Sequence, residues 1–330
     1  MVNVKSLDLN LVRVFDALME DRSVQRASLR VGVTPSALSH SLNRLRYHLN
    51  DELFVRTRSG MIPTARALEI SGPLREALRV IDTTLGGDAF DPLTTTRRFV
   101  LAANDMMTAT IGARLMAILA TAAPGVDLVI RPATRIDLAE QVDVGLIDVA
   151  LGVFADVPSR FDSAAILPLN DVAVMRNGHP AAGDLSLDAL GRFPLAAISL
   201  GGPEAGAVDG FILERGLARQ SDAFDRTSLE GALNGVGMCP RYGLLTPHFM
   251  ALPPALQETG LIAIVPSLLV PFFRAAGLTA GRLPYAAKPA MADLVWNRRS
   301  SKDTGHTWFR SLLSRIATDL AGAEPGWPNG

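Results

Sequence analysis

Residues 23–49 have the sequence SVQRASLRVGVTPSALSHSLNRLRYHL, and this stretch decides the fold of the N-terminal part of the chain. It predicts a short helix from about Val24 to Arg30, a tight turn and a second helix. Gly32 supplies the turn, because glycine takes positive φ at no steric cost. Thr34 caps the second helix, and Pro35 occupies its first position, where a missing N–H loses no bond.

The second helix has two different sides when its residues are placed at about 100° per residue. One side carries only leucines, namely Leu38, Leu42, Leu45 and Leu49. The other carries polar groups and no carboxylate, namely Ser36, Ser39, His40, Asn43, Arg44 and Tyr47. Such a face suits a polyanion, because Asn and Arg read base edges while Ser, Thr and Tyr bind phosphate. An ordinary amphipathic helix with a solvated face is the alternative.

The segment LFVRTRSGMIPT, residues 53–64, predicts a two-stranded wing around a Ser59-Gly60 turn. Arg56 and Arg58 project from it and can clamp phosphates or enter a minor groove. From Ser23 to Arg66 the chain holds seven arginines and only two acids. The net charge of −1 for the whole chain conceals this local positive surplus.

Residues 7–66 resemble the winged helix-turn-helix of the LysR-type transcriptional regulators. The pieces LDLNLVRVFDALMEDRSV, RASLRVGVTPSALSHSLNRLR and DELFVRTRSGMIPT follow the family's order and spacing. Ser28 replaces the usual second alanine of the scaffold helix, and Val31 replaces the usual leucine before the turn glycine. We expect DNA contacts from Thr34, Ser36, Ser39, His40, Asn43 and Arg44, with Arg56 and Arg58 on the flanking backbone.

A long helix is predicted from Thr64 to Leu85. Its apolar and small residues recur at spacings of four and three, namely Ala67, Ser71, Leu74, Leu78, Ile81 and Leu85. This heptad seam favours pairing with a second copy, and Pro73 interrupts it. A helix lying on its own domain is the alternative. The predicted domains are therefore 1–64 (DNA binding), 65–90 (linker helix and hinge) and 91–330 (effector binding).

The third domain alternates strands and helices, which predicts an α/β fold with a parallel sheet and right-handed crossovers. Strands are predicted at 97–105, 127–132 and 148–154, and a second such unit follows from Asp171. It includes a predicted helix from Asp209 to Arg215, returning strands near 278–284 and 292–296, and a closing helix over 307–320. The last residues, AEPGWPNG, are predicted to fray. Residues 201–241 exceed the family's usual length and predict either an extra helix or a local rearrangement.

The resemblance implies two α/β lobes similar to periplasmic solute-binding proteins. The C-terminal segments TPHFMALPPALQETGLIAIVP, LPYAAKP and LVWNRRSSKDTGHTWFRSLL resemble regulators of nodulation and of aromatic-compound degradation. We expect their residues Trp296, Arg298, Arg299, His306, Trp308, Phe309 and Arg310 to fix the fold rather than touch a ligand.

A ligand is expected in the cleft, outside the carboxyl ends of the strands. The candidate effector-binding residues are Asn104, Met107, Thr108, Phe154, Ser199, Gly201, Gly202, Thr246, His248 and Phe249. Free N–H groups after Asn104 would bind an anion, but Asp105 opposes a carboxylate and is equally suited to capping the helix. The methionines and Phe249 favour an apolar or aromatic effector.

Enzyme classes are disfavoured, because no phosphate loop, G-x-S-x-G elbow or histidine spacing for metal is present. Cys239 is the only cysteine, so no internal disulfide can form. The N-terminus lacks an apolar signal segment, which favours the cytoplasm.

The expected partners are promoter DNA, a small organic effector and a second copy of the chain, as a dimer or tetramer. No cofactor and no membrane are expected, and contact with RNA polymerase stays open. The sequence does not decide between activator and repressor. The alternative function is a small-molecule binding protein whose N-terminal helices only mediate assembly.

Overall fold

A computed structural model describes residues 8–57, 60–84, 90–134, 137–200 and 211–322. The chain separates into two compact units. The first comprises residues 1–90 together with 140–147, and the second comprises 91–139 and 148–330. Arg58, Gly201, Gly202 and the tail from residue 323 onward lie outside the described residues.

The first unit is built from helices and one hairpin, namely α1 (Leu9–Asp21), α2 (Val24–Val31), α3 (Pro35–Leu49), β1 (Phe54–Thr57), β2 (Gly60–Pro63) and α4 (Ala65–Thr84). The predicted capping is observed at α3, where the Thr34 hydroxyl accepts from the Ala37 N–H at 3.2 Å. Gly32 takes a φ of +72° at the end of α2. Ser28 is buried and donates its hydroxyl to the Gln25 carbonyl at 2.8 Å, so the swap from alanine leaves no unsatisfied group.

The core of this unit contains the inward side of α3, namely Leu38, Leu42 and Leu45, packed with residues of α1 such as Phe15. Ala67 of α4 belongs to the same core, and Leu74 packs against it. Ser71 is also buried within the single chain. The residues in the first half of the predicted heptad seam therefore pack within the helix's own domain.

The second unit holds the strands β3 (Arg98–Ala103), β4 (Asp127–Pro132), β5 (Val149–Gly152), β6 (Phe154–Asp156), β7 (Phe161–Leu169), β8 (Asp171–Arg176), β9 (Leu195–Ile198), β10 (Phe211–Glu214), β11 (Leu217–Gln220), β12 (Tyr242–Thr246), β13 (Ile262–Pro266), β14 (Leu278–Gly281) and β15 (Ala290–Asn297). Its helices are α5 (Asp105–Met107), α6 (Ala113–Ala122), α8 (Leu187–Arg192), α9 (Arg226–Asn234), α10 (Leu252–Gln257), α11 (Val270–Ala275) and α12 (Thr304–Gly322). A further helix, α7 (Leu138–Asp143), begins in the second unit and ends in the 140–147 segment of the first. A π-helical segment, Thr108–Gly112, joins α5 to α6.

Two five-stranded sheets define two lobes within this unit. The first sheet has the order β4-β3-β5-β15-β7, and the second has the order β12-β9-β13-β8-β14. Both are mixed rather than wholly parallel, because β15 pairs antiparallel with β5 and β8 pairs antiparallel with β13. A third, antiparallel sheet has the order β10-β11-β6.

One chain connection between the lobes is a single residue. Asn170 is the single residue between β7 of the first lobe and β8 of the second. Its carbonyl accepts from the Ser267 N–H at 2.7 Å, directly after β13. The chain returns to the first lobe through residues 282–289, between β14 and β15, and we call these two connections the hinge. The β10-β11-β6 sheet also links the lobes, because β10 and β11 come from between β9 and β12 whereas β6 comes from between β5 and β7.

Three expectations for this unit were wrong or incomplete. The predicted helix near Asp209 is contradicted, because Phe211–Glu214 is a strand paired with Leu217–Gln220. The predicted single strand over 148–154 divides into β5 and β6. Strand β7 was not predicted at all. Within the described residues, no helix is both long enough and apolar enough to cross a membrane.

Candidate DNA-binding and effector sites

The outward face of α3 is exposed, and its side chains are polar or basic. Ser36, Ser39, His40, Asn43 and Arg44 are all exposed. Tyr47 on the same helix is 87% exposed. Thr34 is exposed at the N-terminal end, where its hydroxyl is already the helix cap. The structure therefore places the predicted side chains of α3 together on one accessible surface, opposite the buried leucines.

Arg46 holds this helix against the wing. Its Nε donates to the Glu52 carbonyl at 2.7 Å, and its Nη2 donates to the Phe54 carbonyl at 2.7 Å. Its Nη1 donates to the Asn43 side-chain oxygen at 3.1 Å. This hydrogen bond engages the Asn43 side-chain oxygen, so the NH₂ group is the part of the amide that can donate to a base edge. Sequence reasoning counted Arg46 only as a charge, yet it positions a residue of the recognition face.

Asp51 fixes the base of the wing. Its Oδ1 accepts from the Leu53 N–H and from the Thr64 hydroxyl, both at 2.7 Å. These two hydrogen bonds lower the pKa of Asp51. The Asp51 carboxylate therefore stabilises the fold of the wing.

The positive surplus counted from the sequence is smaller in the folded unit. Arg30 lies 2.7 Å from Asp21 and 2.8 Å from Glu20, and these acids raise its pKa. Arg66 pairs with Glu69 at 2.7 Å. All three acids lie just outside the stretch from Ser23 to Arg66, which is why a count within that stretch missed them.

Arg56 is the exposed arginine of the wing that remains available. It lies on β1, opposite Met61 of β2. Within the described part of the chain, no ion pair involves its guanidinium. Among the described residues, the ion pair of Arg44 on α3 is a long contact of 3.9 Å with Asp8. Arg56 and Arg44 are thus the cations best placed to meet phosphate.

A cavity of about 640 Å³, including its open mouth, lies within the second unit. Both lobes contribute walls, because residues of β5 and β7 line it together with residues of β8 and β13. Most of the lining is apolar, and the principal polar groups are Asn104, Thr134, Asp171, Arg219 and Gln220. This is the geometry expected of a small-molecule site: a concave apolar pocket with a few placed polar groups.

Four of the ten candidate effector residues line this cavity, namely Asn104, Met107, Phe154 and Phe249. Four others lie outside its lining, namely Thr108, Ser199, Thr246 and His248. The Thr108 hydroxyl donates to the Asn104 carbonyl, and the Ser199 N–H donates to the Thr246 carbonyl. The two glycines Gly201 and Gly202 lie outside the described residues.

Side chains cap two N–H groups at the start of the helix that begins at Asp105. The Asn104 Oδ1 accepts from the Met107 N–H at 2.8 Å, and the Asp105 Oδ1 accepts from the Met106 N–H at 3.1 Å. The other Asp105 oxygen accepts from the Met250 N–H at 2.9 Å. The sequence left an anion site and a helix cap as alternatives for this turn. Its geometry is that of a helix cap.

Asp171 and Arg219 supply the charges of the cavity wall. Burial raises the pKa of Asp171 to about 6, although its carboxylate accepts from the Asp225 N–H at 3.1 Å. Burial also lowers the pKa of Arg219, against the opposing attraction of Glu214 and Asp137. Neither residue was a sequence candidate.

The C-terminal motif forms a structural network rather than a site. The Arg310 guanidinium lies 4.3 Å from the centre of the Trp296 ring and hydrogen-bonds the Nδ1 of His306. His306 is fully buried, with its Nε2 3.0 Å from the Asp148 carbonyl. Phe309 stacks on Phe99 with ring centres 4.4 Å apart.

Comparison with known proteins bears on both sites. Residues 9–68 match the bacterial regulatory helix-turn-helix protein family, lysR type, and residues 94–223 match the LysR substrate binding domain. The activator NagR of a Ralstonia species is 32% identical over 326 residues, covering 96% of this chain and all of NagR. The activator NahR of Pseudomonas putida is 30% identical, with the same two shares. Nodulation protein D 2 of Sinorhizobium fredii is 29% identical and covers 96% of both chains.

The fold is also that of solved structures. A probable transcriptional regulator from Pseudomonas aeruginosa has a TM-score of 0.68 at 28% identity, covering 94% of this chain and 98% of that one. These findings confirm the predicted α/β fold with its N-terminal helix-turn-helix and the predicted branch of relatives. The chain belongs to the lysR family of bacterial transcriptional regulators.

Proposed function

We propose that the exposed face of α3 enters the major groove of promoter DNA while Arg56 of the wing contacts the flanking phosphates. The observation that supports this most directly is the division of α3 into a buried leucine side and an exposed side without a carboxylate. Asn43 and Arg44 are suited to base edges, and Ser36, Ser39 and His40 to bases or phosphates.

A small organic effector would bind in the cavity of the second unit. Because both lobes line that cavity, a ligand there has different contacts in different hinge arrangements. It can therefore shift an existing equilibrium between them. In this proposal the effector is the only small molecule required, and the protein is not an enzyme.

The second half of α4 is proposed to pair with a second copy of the chain. Leu78 and Ile81 are half-buried and Val80 is 48% exposed in the single chain, whereas Ala67 and Ser71 are already buried. Sedimentation equilibrium of the purified chain distinguishes the expected dimer or tetramer from a monomer. We place the regulator in the cytoplasm because its proposed operator is chromosomal, and contact with RNA polymerase follows only if it activates.

The test is an anisotropy titration with DNA from upstream of the protein's own gene, at two salt concentrations and with excess competitor DNA. Tight binding that survives the competitor is expected. The matched control for variants of the DNA-binding face is Arg114→Ala, an exposed arginine of the second unit, which should bind like the wild type. Binding that is lost to the competitor would refute sequence-specific recognition and favour the alternative, an assembly role for the N-terminal helices.

A further inference from the structure

Arg46 of α3 is fixed by backbone acceptors at the base of the wing. Its Nε donates to the Glu52 carbonyl and its Nη2 donates to the Phe54 carbonyl, both at 2.7 Å. The Glu52 carboxylate also lies 3.4 Å from this Nε, but its side chain is 75% exposed, so solvent screens the ion pair. The protein backbone therefore sets the plane of the guanidinium before any DNA is bound.

A further N–H donor of this guanidinium meets the side chain of Asn43, three residues earlier on the same helix. The Nη1 of Arg46 lies 3.1 Å from the Asn43 Oδ1. A guanidinium carries donors and no acceptor, so the part of the amide that faces it must be the oxygen and not the NH₂ group. The contact thus decides the orientation of the amide, because a flipped amide would place N–H groups against a cation.

The hydrogen bond to Arg46 changes what Asn43 can recognise. An unrestrained asparagine commonly pairs with adenine by accepting from N6 and donating to N7. In this protein the amide oxygen already accepts from a cation. An adenine N6–H would bring a second partly positive hydrogen to the same oxygen. The NH₂ group keeps its two N–H donors, so the amide suits a base edge that offers acceptors alone.

Guanine is the base with such an edge. In the major groove it presents N7 and O6, which are both acceptors, and no donor of its own. Adenine presents one acceptor and one donor, cytosine presents a donor, and thymine presents one acceptor beside its methyl group. The positive charge of Arg46 next to the amide favours the same choice, because it attracts an edge made of acceptors.

We infer that Asn43 reads a guanine in the major groove and that Arg46 is the positioning residue that sets this choice by holding the amide oxygen. The inference deepens the proposed function and rests on it, because it requires α3 in the groove. Since Arg46 also joins α3 to the wing, one side chain sets both the place of the wing and the base preference of the helix.

The first test is a binding-site selection with the full-length wild type and Asn43→Ala, followed by anisotropy titration of the selected operators. The operator position that belongs to Asn43 is the one at which the alanine variant loses its preference. Guanine is expected there in the wild-type selection. Replacing it by adenine should weaken wild-type binding about tenfold, and the same change should leave binding by Asn43→Ala nearly unaltered.

The second test separates positioning from support of the wing. Arg46→Met keeps an aliphatic stem but has no donor, so the Asn43 oxygen is released and adenine should bind about as well as guanine at that position. The matched control is Thr64→Val, which removes the hydroxyl that donates to Asp51 at the base of the wing and leaves Asn43 untouched. This control should change the affinity for all operators alike and keep the preference for guanine.

Any base other than guanine at the Asn43 position, an unchanged preference in Arg46→Met, or an equal loss of preference in Thr64→Val would overturn the inference. If Arg46→Met fails to fold, Arg46→Lys decides the same question, because a compact ammonium lacks the fork that reaches the wing and Asn43 together. A wild type without specific binding would refute the proposed function itself. Specific binding combined with any of the three contrary results would overturn only the roles of Asn43 and Arg46.

Discussion

His306 should make the second unit lose stability as the pH falls, and the structure sets the size of the effect. The Nε2 of this fully buried side chain meets the Asp148 carbonyl, and its Nδ1 meets a permanent donor, Arg310. A proton on Nδ1 would oppose that donor. Burial, followed by the charge of Arg310, lowers the pKa of His306 from 6.5 to about 4, with Arg97 adding to the shift and Asp303 opposing it.

The sign follows from proton binding. Between pH 6.5 and about 4, the unfolded chain takes up a proton at His306 that the folded chain excludes. The stability of the folded state is therefore complete above the unfolded pKa and falls as the pH decreases. At about 1.4 kcal/mol for each unit of pKa difference, the total loss at this residue is about 3 kcal/mol.

The perturbation is His306→Gln, whose side-chain amide can donate to the Asp148 carbonyl and accept from Arg310 without titrating. Urea unfolding is followed by the fluorescence of Trp296 and Trp308, which lie on β15 and α12 beside the network. From about pH 7 to about pH 5, the wild type should lose about 2 kcal/mol more of its unfolding free energy than the variant. Equal losses in the two proteins would refute the assignment of a depressed pKa to His306.

Three further outcomes are expected. Asp171→Asn should raise the unfolding free energy near neutral pH, because the folded carboxyl has a pKa of about 6 and is charged there against its burial; the gain should vanish as the pH falls from about 6 toward 4 in the same urea assay, and a constant difference would contradict it. Arg56→Ala should weaken binding to all DNA about equally and reduce the salt slope by about 1, measured by anisotropy at several salt concentrations; an unchanged slope would remove Arg56 from the interface. Asn43→Ala should relax the base preference at one position, with a cost of about 1 to 3 kcal/mol on the preferred operator; a binding-site selection that returns the wild-type sequence would exclude direct readout by Asn43.

Local signals explain why the N-terminal unit was predictable. Thr34, Pro35 and Gly32 act on their immediate neighbours, and the leucine spacing of α3 repeats over about three turns. Neither depends on distant parts of the chain. The role of the heptad seam in α4 was harder to predict, because only the folded unit shows that Ala67 already packs in the core of that unit.

The β10–β11 hairpin was missed because its residues suit a helix. Leu213 and Glu214 are good helix formers, and propensity alone favoured that state. The turn carries the overlooked signal: Arg215 and Gly216 have φ of 48° and 84°, which is the requirement of a two-residue hairpin turn. Arg219 could not be found from sequence, because its place in the cavity wall depends on the pairing of β11 with β6, where it lies opposite Phe154.

Strand β7 was also not predicted. Pro168 lies within it, and proline lacks the N–H that a central strand requires. The structure places β7 at the edge of its sheet, where one side of the strand has no partner. An edge position is where proline is tolerated within a strand.

The single-residue connection at Asn170 has a consequence for how such a regulator changes over generations. Leu169 and Asp171, on either side of it, both line the cavity. A substitution that adapts the pocket to a new molecule at these positions also alters the joint between the lobes. We therefore expect substitutions that change the ligand preference also to change the activity of the regulator without ligand. Inducible and constitutive variants should then differ from each other by few substitutions.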